Sequence, residues 1–213
     1  YGEIAPNIAI YCRTPIRYRR NEKLIKCINV MGYAFDNQRQ PDYKYFVDQD
    51  GYLDTDELFR HTCKVFRKIF CCAIQQRCYR IILCKFGCGA FAGNFNQIVN
   101  TIYNKALKRV LHEMGKDLSK YGINEISCLG DNLSFIIGPF KFDSFKYDGR
   151  IPEMIFKNKY LHDLGNTLFV NAWDPWSMVG NGNEADRSLD GWFGRSTAMA
   201  ILCWPLTNPY IEY

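Results

Sequence analysis

The chain has 213 residues, 47% of them hydrophobic and 23% charged, with a formal net charge of +5. That length supports one substantial core, and no Pro/Ser/Gly-rich or charge-block linker divides it, so a single domain over 1–213 is predicted, with a basic N-terminal arm over 1–22. There is no run of about eighteen apolar residues, and the modest positive charge suits a polyanionic ligand without demanding a nucleic-acid footprint.

The first residues, Tyr1-Gly-Glu-Ile, lack an initiator Met and a signal-peptide profile, as expected of a piece of something longer. In the arm, Arg13, Arg17, Arg19 and Arg20 alternate with Tyr11 and Tyr18, a pattern that either contacts phosphates or simply solubilises an exposed segment. Lys23-Leu-Ile-Lys-Cys-Ile-Asn-Val-Met31 is a largely apolar run stopping at Gly32, predicting a buried strand that feeds a loop over 33–41. Asp48, Asp50 and Asp54 resemble a calcium loop, but with Gly51 at its sixth position Phe46 stands where the first carboxylate belongs, so a solvated turn is expected instead. Asp54-Thr-Asp-Glu57 has capping-box spacing, and Leu58, Phe59, Thr62, Val65, Phe66, Ile69, Phe70 and Ala73 recur at helical period behind it.

Arg80 to Phe86 reads as a second buried strand, ending in Gly87-Cys-Gly-Ala-Phe-Ala-Gly93. Helical periodicity then runs through Ile98, Ile102, Ala106, Val110 and Leu111. Glycines between a strand and a helix let backbone amides and the helix dipole meet phosphate; equally, they permit tight strand-to-helix packing. No Gly-Lys-Ser/Thr follows, so this is not a Walker loop. A further strand is expected at 125–129 or 133–137, around a turn at Gly130-Asp-Asn, and residues 138–166 read as irregular. The chain closes with a strand at 168–171, a polar loop holding Asp174, Gly180, Asn181, Gly182, Asp186 and Asp190, and a helix around 195–204 ended by Pro205. Alternating strands and helices predict a three-layer α/β domain with a ligand site at the carboxyl ends of the strands.

Several of the ten cysteines, among them Cys27, Cys84 and Cys203, sit inside apolar runs where a free thiol behaves as a small core side chain. Cys71-Cys72 and Cys84/Cys88 lack zinc-knuckle spacing, and His61, His112 and His162 are dispersed, so no metal site is expected. The thiols point to a reducing, intracellular compartment, cytoplasm or nucleus.

The two glycine loops together resemble the ligand loops of macrodomains, in the branch similar to poly(ADP-ribose) glycohydrolase. Asn171-Ala-Trp-Asp-Pro with Gly180-Asn-Gly182 is similar to that family's asparagine strand and glycine-rich loop with its acidic motif, and Phe86 to Gly93 is similar to its diphosphate loop. The two occur here in reversed order, which looks like a circular permutation of a mixed-sheet α/β/α fold, with residues 28–35 as the inner strand. Asn181 interrupts the family's glycine triplet, and aspartates stand where the glycohydrolases carry paired glutamates.

The resemblance implies ADP-ribose held by Gly87, Cys88, Gly89, Ala90, Phe91, Asn171, Gly180, Asn181 and Gly182. It also implies hydrolysis of the link to modified protein side chains by Asp174, Asp186 and Asp190. Asp186 and Asp190, four residues apart, would share one face of a helix beginning there, and close carboxylates separate into one acid and one base. A helix N-cap is the plainer role for Asp186. Phe35 and Phe91 either stack on the ligand or pack in the core, and Asp36 could accept the adenine amino hydrogen. No cofactor is expected, nor a membrane or specific nucleic-acid partner. A monomer acting on ADP-ribosylated proteins is expected, with a non-catalytic ADP-ribose reader as the alternative.

Overall fold

The computed structural model describes residues 9–18, 21–129, 136–137, 140–145 and 164–173. They form a seven-stranded mixed sheet with helices, an α/β architecture. In chain order the elements are β1 (Ala9–Tyr18), β2 (Asn21–Met31), α1 (Pro41–Phe46), α2 (Thr55–Gln75), β3 (Arg80–Leu83), α3 (Asn96–Lys120), β4 (Glu125–Leu129), β5 (Ile136–Ile137), β6 (Phe140–Phe145) and β7 (Thr167–Trp173). Strand order across the sheet is β1-β2-β7-β3-β4-β6-β5. The five central strands run parallel, with an antiparallel strand at each edge.

β2, β3, β4 and β7 alternate along their length. Ile28, Val30, Ile81, Leu83, Ile126, Cys128, Leu168 and Val170 join one apolar cluster with α2 and α3. Their odd-even neighbours Ile25, Cys27, Asn29, Ile82, Thr167, Phe169 and Asn171 are buried on the opposite face. Burial on both faces explains why these strands read as continuous apolar runs, since a parallel sheet has no solvated side to mark with polar residues. Both α2 and α3 bury their apolar stripes, α2 through Leu58, Val65, Phe66, Ile69 and Phe70, α3 through Ile102, Tyr103, Leu107, Val110 and Leu111. Each such side chain contributes about 1.5–3 kcal/mol on leaving water.

The structure departs from the sequence reading in several places. Residues 9–18, expected as part of a basic arm, are an edge strand paired residue for residue with β2, Tyr11 opposite Ile28 and Pro15 opposite Leu24. Among the described residues β1 has one strand neighbour only, an edge position that tolerates a proline and arginines, and those same residues hid the period of two. Pro41 starts a helix where a loop was expected, its missing N–H costing nothing in the first turn. The alternatives at 125–129 and 133–137 both hold a strand, and β6 lies within a stretch read as irregular. The glycine loop leads first into a 3₁₀ segment, Ala90–Phe95, before α3. The turn at Gly130 and the helix expected at 195–204 lie outside the described residues.

Candidate functional site

The parallel strands bring the carboxyl ends of β2, β7, β3 and β4 to one edge of the sheet, the position where ligands bind in open α/β sheets. Two loops leave that edge, residues 32–36 after β2 and residues 84–95 after β3, and they interlock through their backbones. A Cβ on Gly32 would overlap the backbone of Gly87, which has φ of 70°. A Cβ on Gly93, at φ 52°, would come within 2.7 Å of the Phe35 carbonyl oxygen. The Phe35 N–H donates to the Phe91 carbonyl at 2.6 Å. Gly87 and Gly93 are therefore glycine for packing: no L side chain fits those spaces, and neither φ suits one.

Gly89 is different. Its φ is −93° and a Cβ there would meet nothing within 4 Å. The side chain of Asn96, in the first turn of α3, donates from Nδ2 to the Cys88 carbonyl at 2.7 Å, and the Ala92 N–H donates to the Gly89 carbonyl at 3.0 Å. Asn100 completes the brace, donating to the Asn96 carbonyl at 2.9 Å while its Oδ1 accepts from Lys85 Nζ at 3.0 Å. In a planar trans peptide the N–H points opposite to the C=O. With the carbonyls of Cys88 and Gly89 turned to Asn96 and Ala92, the amides of Gly89 and Ala90 point away from those partners, at two residues that are exposed. Adjacent amides aimed at solvent form an anion-binding concavity. Lys85, Asn96 and Asn100 were not singled out in the sequence; two asparagines at i and i+4 directly after a glycine loop were the available signal.

The first loop is anchored residue by residue. The Ala34 N–H donates to the buried Asp42 carboxylate at 2.9 Å. Phe35, only 3% exposed, packs edge-on against Phe46 and Phe95, so its ring belongs to the core. Asp36 is exposed beside Gly93 and accepts from Gln40 Nε2 at 2.8 Å. Phe91 is half-buried. Beneath the Gly32–Gly87 contact lies a cavity of about 10 Å³ lined by Tyr33, Thr62 and Tyr103 among others, room for one water at most. That space admits no ligand of nucleotide size.

Asn171 sits two residues before the end of β7, buried on the sheet face opposite α2 and α3, and donates from Nδ2 to Asn29 Oδ1 at 2.8 Å. The two asparagines are register partners in β7 and β2. Asn29 was passed over in the sequence, although an amide inside an apolar strand run was a usable sign. Gly180, Asn181, Gly182, Asp174, Asp186 and Asp190 lie outside the described residues.

Cys88, 7% exposed, is no nucleophile. Burial pushes its thiol up to about 12 against a smaller pull downward from Lys85, so the reactive thiolate is absent near neutrality. Cys63, Cys71, Cys78 and Cys88 are free thiols. Among the described residues no group of three or more His, Cys, Asp or Glu could hold a metal ion, and no helix is long and apolar enough to cross a membrane.

Below the first loop, Tyr33 Oη and His61 Nδ1 are 2.9 Å apart, and His61 Nε2 is 2.9 Å from Glu57 Oε1. Burial, and then Lys64 and Arg60, hold the imidazole below its ordinary value of 6.5. Between that value and the lower folded one the unfolded chain binds more protons, so stability should fall as pH drops below 6.5 and level off beneath the folded value. Urea unfolding of wild type and His61→Gln across about pH 5–7.5 checks this: the variant should show the shallower decline, and identical slopes would refute it.

No protein-family model matches this chain, and no curated protein matches it at a significant level.

Proposed function

We propose that this chain binds ADP-ribose with a macrodomain-like site and hydrolyses the glycosidic link joining it to a modified protein side chain. The observation that carries the reading is the pair of outward amides at Gly89 and Ala90, braced by Asn96 over an open approach. A diphosphate with about two negative charges is matched by backbone N–H groups at a helix-leading loop, with no long basic side chain required. Asp36, exposed beside the same loop, is the proposed acceptor for an adenine amino group. The Asn29–Asn171 pair at the carboxyl edge of the sheet supplies amides to orient the strand whose continuation carries Asp174. Burial of both sheet faces agrees with a three-layer arrangement, and the reversed order of the two loops agrees with a permuted chain.

Cleavage passes through an oxocarbenium-like centre, for which a carboxylate stabilises charge, activates water or protonates the leaving group. Asp186 and Asp190 are assigned the acid and base roles, with Asp174 orienting water or binding a ribose hydroxyl. Calorimetric titration with ADP-ribose, alongside release of ADP-ribose from an automodified protein, tests the reading. Wild type should bind and release. Asp190→Ala should keep its affinity and lose about 10²–10⁴-fold in turnover. Gly89→Leu should stay folded, within about 0.5 kcal/mol of wild type, yet lose binding, because its side chain fills the approach to the amides. Binding without release makes the chain a reader, and absence of binding overturns the proposal.

A further inference from the structure

The outer face of the two long helices carries a second, independent feature. Of the charged residues, α2 holds four Lys/Arg against two acids and α3 five against two, an excess of five that equals the formal net charge of the whole chain. Both helices are thus net basic, with Lys64, Lys105, Lys108, Arg109, Lys116 and Lys120 all exposed.

Between the helices lies a groove of about 390 Å³ lined by Phe59, Arg60, Cys63, Lys64, Arg67, Arg109 and Glu113. Its one carboxylate, Glu113, is gripped from both helices: Arg67 donates to Oε2 from Nε at 3.1 Å and Nη2 at 2.7 Å, and Arg109 Nε donates to Oε1 at 2.6 Å. That clamp fixes the two guanidiniums and leaves the groove with a surplus of cations over acids. Lys64 is exposed and makes no ion pair among the described residues. Along α3 the row continues through Lys105, Arg109, Lys116 and Lys120, which at 1.5 Å per residue extends about 22 Å from Lys105 to Lys120.

We propose that this groove and the basic row beside it bind the phosphodiester backbone of single-stranded nucleic acid without reading its sequence. A row of that length matches a chain of regularly spaced charges better than one small anion. The N–H groups of Arg67 and Arg109 not spent on Glu113 suit phosphate oxygens, and the half-buried Phe59 on the groove wall offers a base a ring to stack on.

Fluorescence anisotropy with a labelled oligothymidylate tests this. Binding should be saturable and weaken steeply with salt. At about 0.1 M salt each lost phosphate contact costs about fivefold, as follows from a slope of about −0.7 per contact for single strands, so Lys64→Ala and Lys105→Ala should each weaken binding by that factor. Glu113→Gln, which removes the carboxylate from the groove, should tighten it, an effect that misfolding cannot mimic. No binding at low salt overturns the proposal, as does unchanged affinity in the folded lysine variants. Displacement by polyglutamate at equal charge concentration also overturns it, by identifying the partner as an acidic protein.

Discussion

Gly32→Ala is expected to cost the fold about 3 kcal/mol, at the upper end of what overpacking exacts. The added Cβ meets the backbone of Gly87, where no rotamer change can relieve the overlap and one of the two interlocked loops must move. Moving either loop strains the Phe35–Phe91 backbone hydrogen bond, and moving the first also strains the Ala34–Asp42 bond. Urea unfolding reads the loss directly; a change under about 0.5 kcal/mol, the ordinary range for an uninvolved surface position, would show that the loops do not touch there. Gly89→Leu, one loop position away from Cys88, is the contrast: the larger side chain is tolerated because space, not residue size, sets the cost.

Phe66→Ala should be the most damaging of the core truncations, at about 3–5 kcal/mol. Phe66 is fully buried, its ring 5.0 Å from Tyr103, 5.2 Å from Phe86 and 6.2 Å from Phe70 by centroids. It is thus the point where α2, α3 and the root of the glycine loop meet, and three rings cannot all collapse into the vacated space. Thermal or urea unfolding measures the loss, and Phe66→Leu should recover a good part of it by filling most of the volume. A loss below about 1 kcal/mol would mean the site relaxes freely and the three elements are not locked there. Because Phe86 directly precedes Gly87, the same variant should also weaken any ligand held by the loop above it.

The helix α2 was legible because every rule pointed one way: apolar residues at period 3.6 and Asp54 at the cap, whose Oδ1 accepts from the Glu57 N–H at 2.9 Å. The reciprocal half of the capping box is spent elsewhere, since Glu57 Oε1 lies within bonding distance of His61 and Tyr45 instead. The strands β2, β3 and β7 were legible as apolar runs. β1 was not, because Arg13, Arg17 and Pro15 interrupt the pattern on an edge that tolerates them. Nor could any local signal place β7 between β2 and β3, since that depends on pairing residues 167–173 with strands more than eighty residues earlier.

The glycine loop divides along the same line. Its residue types and its position between a strand and a helix were written in the chain, and they are local properties of covalent geometry and hydrogen-bonding capacity. Which glycine serves packing and which faces open space was decided only when residues 32–36 were laid against it. Gly87 and Gly93 touch backbone from a segment more than fifty residues away, while a Cβ on Gly89 would meet nothing within 4 Å. The role of Asn171 divides likewise: the sequence marked it as a polar residue at the end of a strand, and the register with β2 supplied Asn29 as its partner. Period, cap and composition act over a few residues and can be read along the chain; close approach and burial exist only between segments that folding brings together.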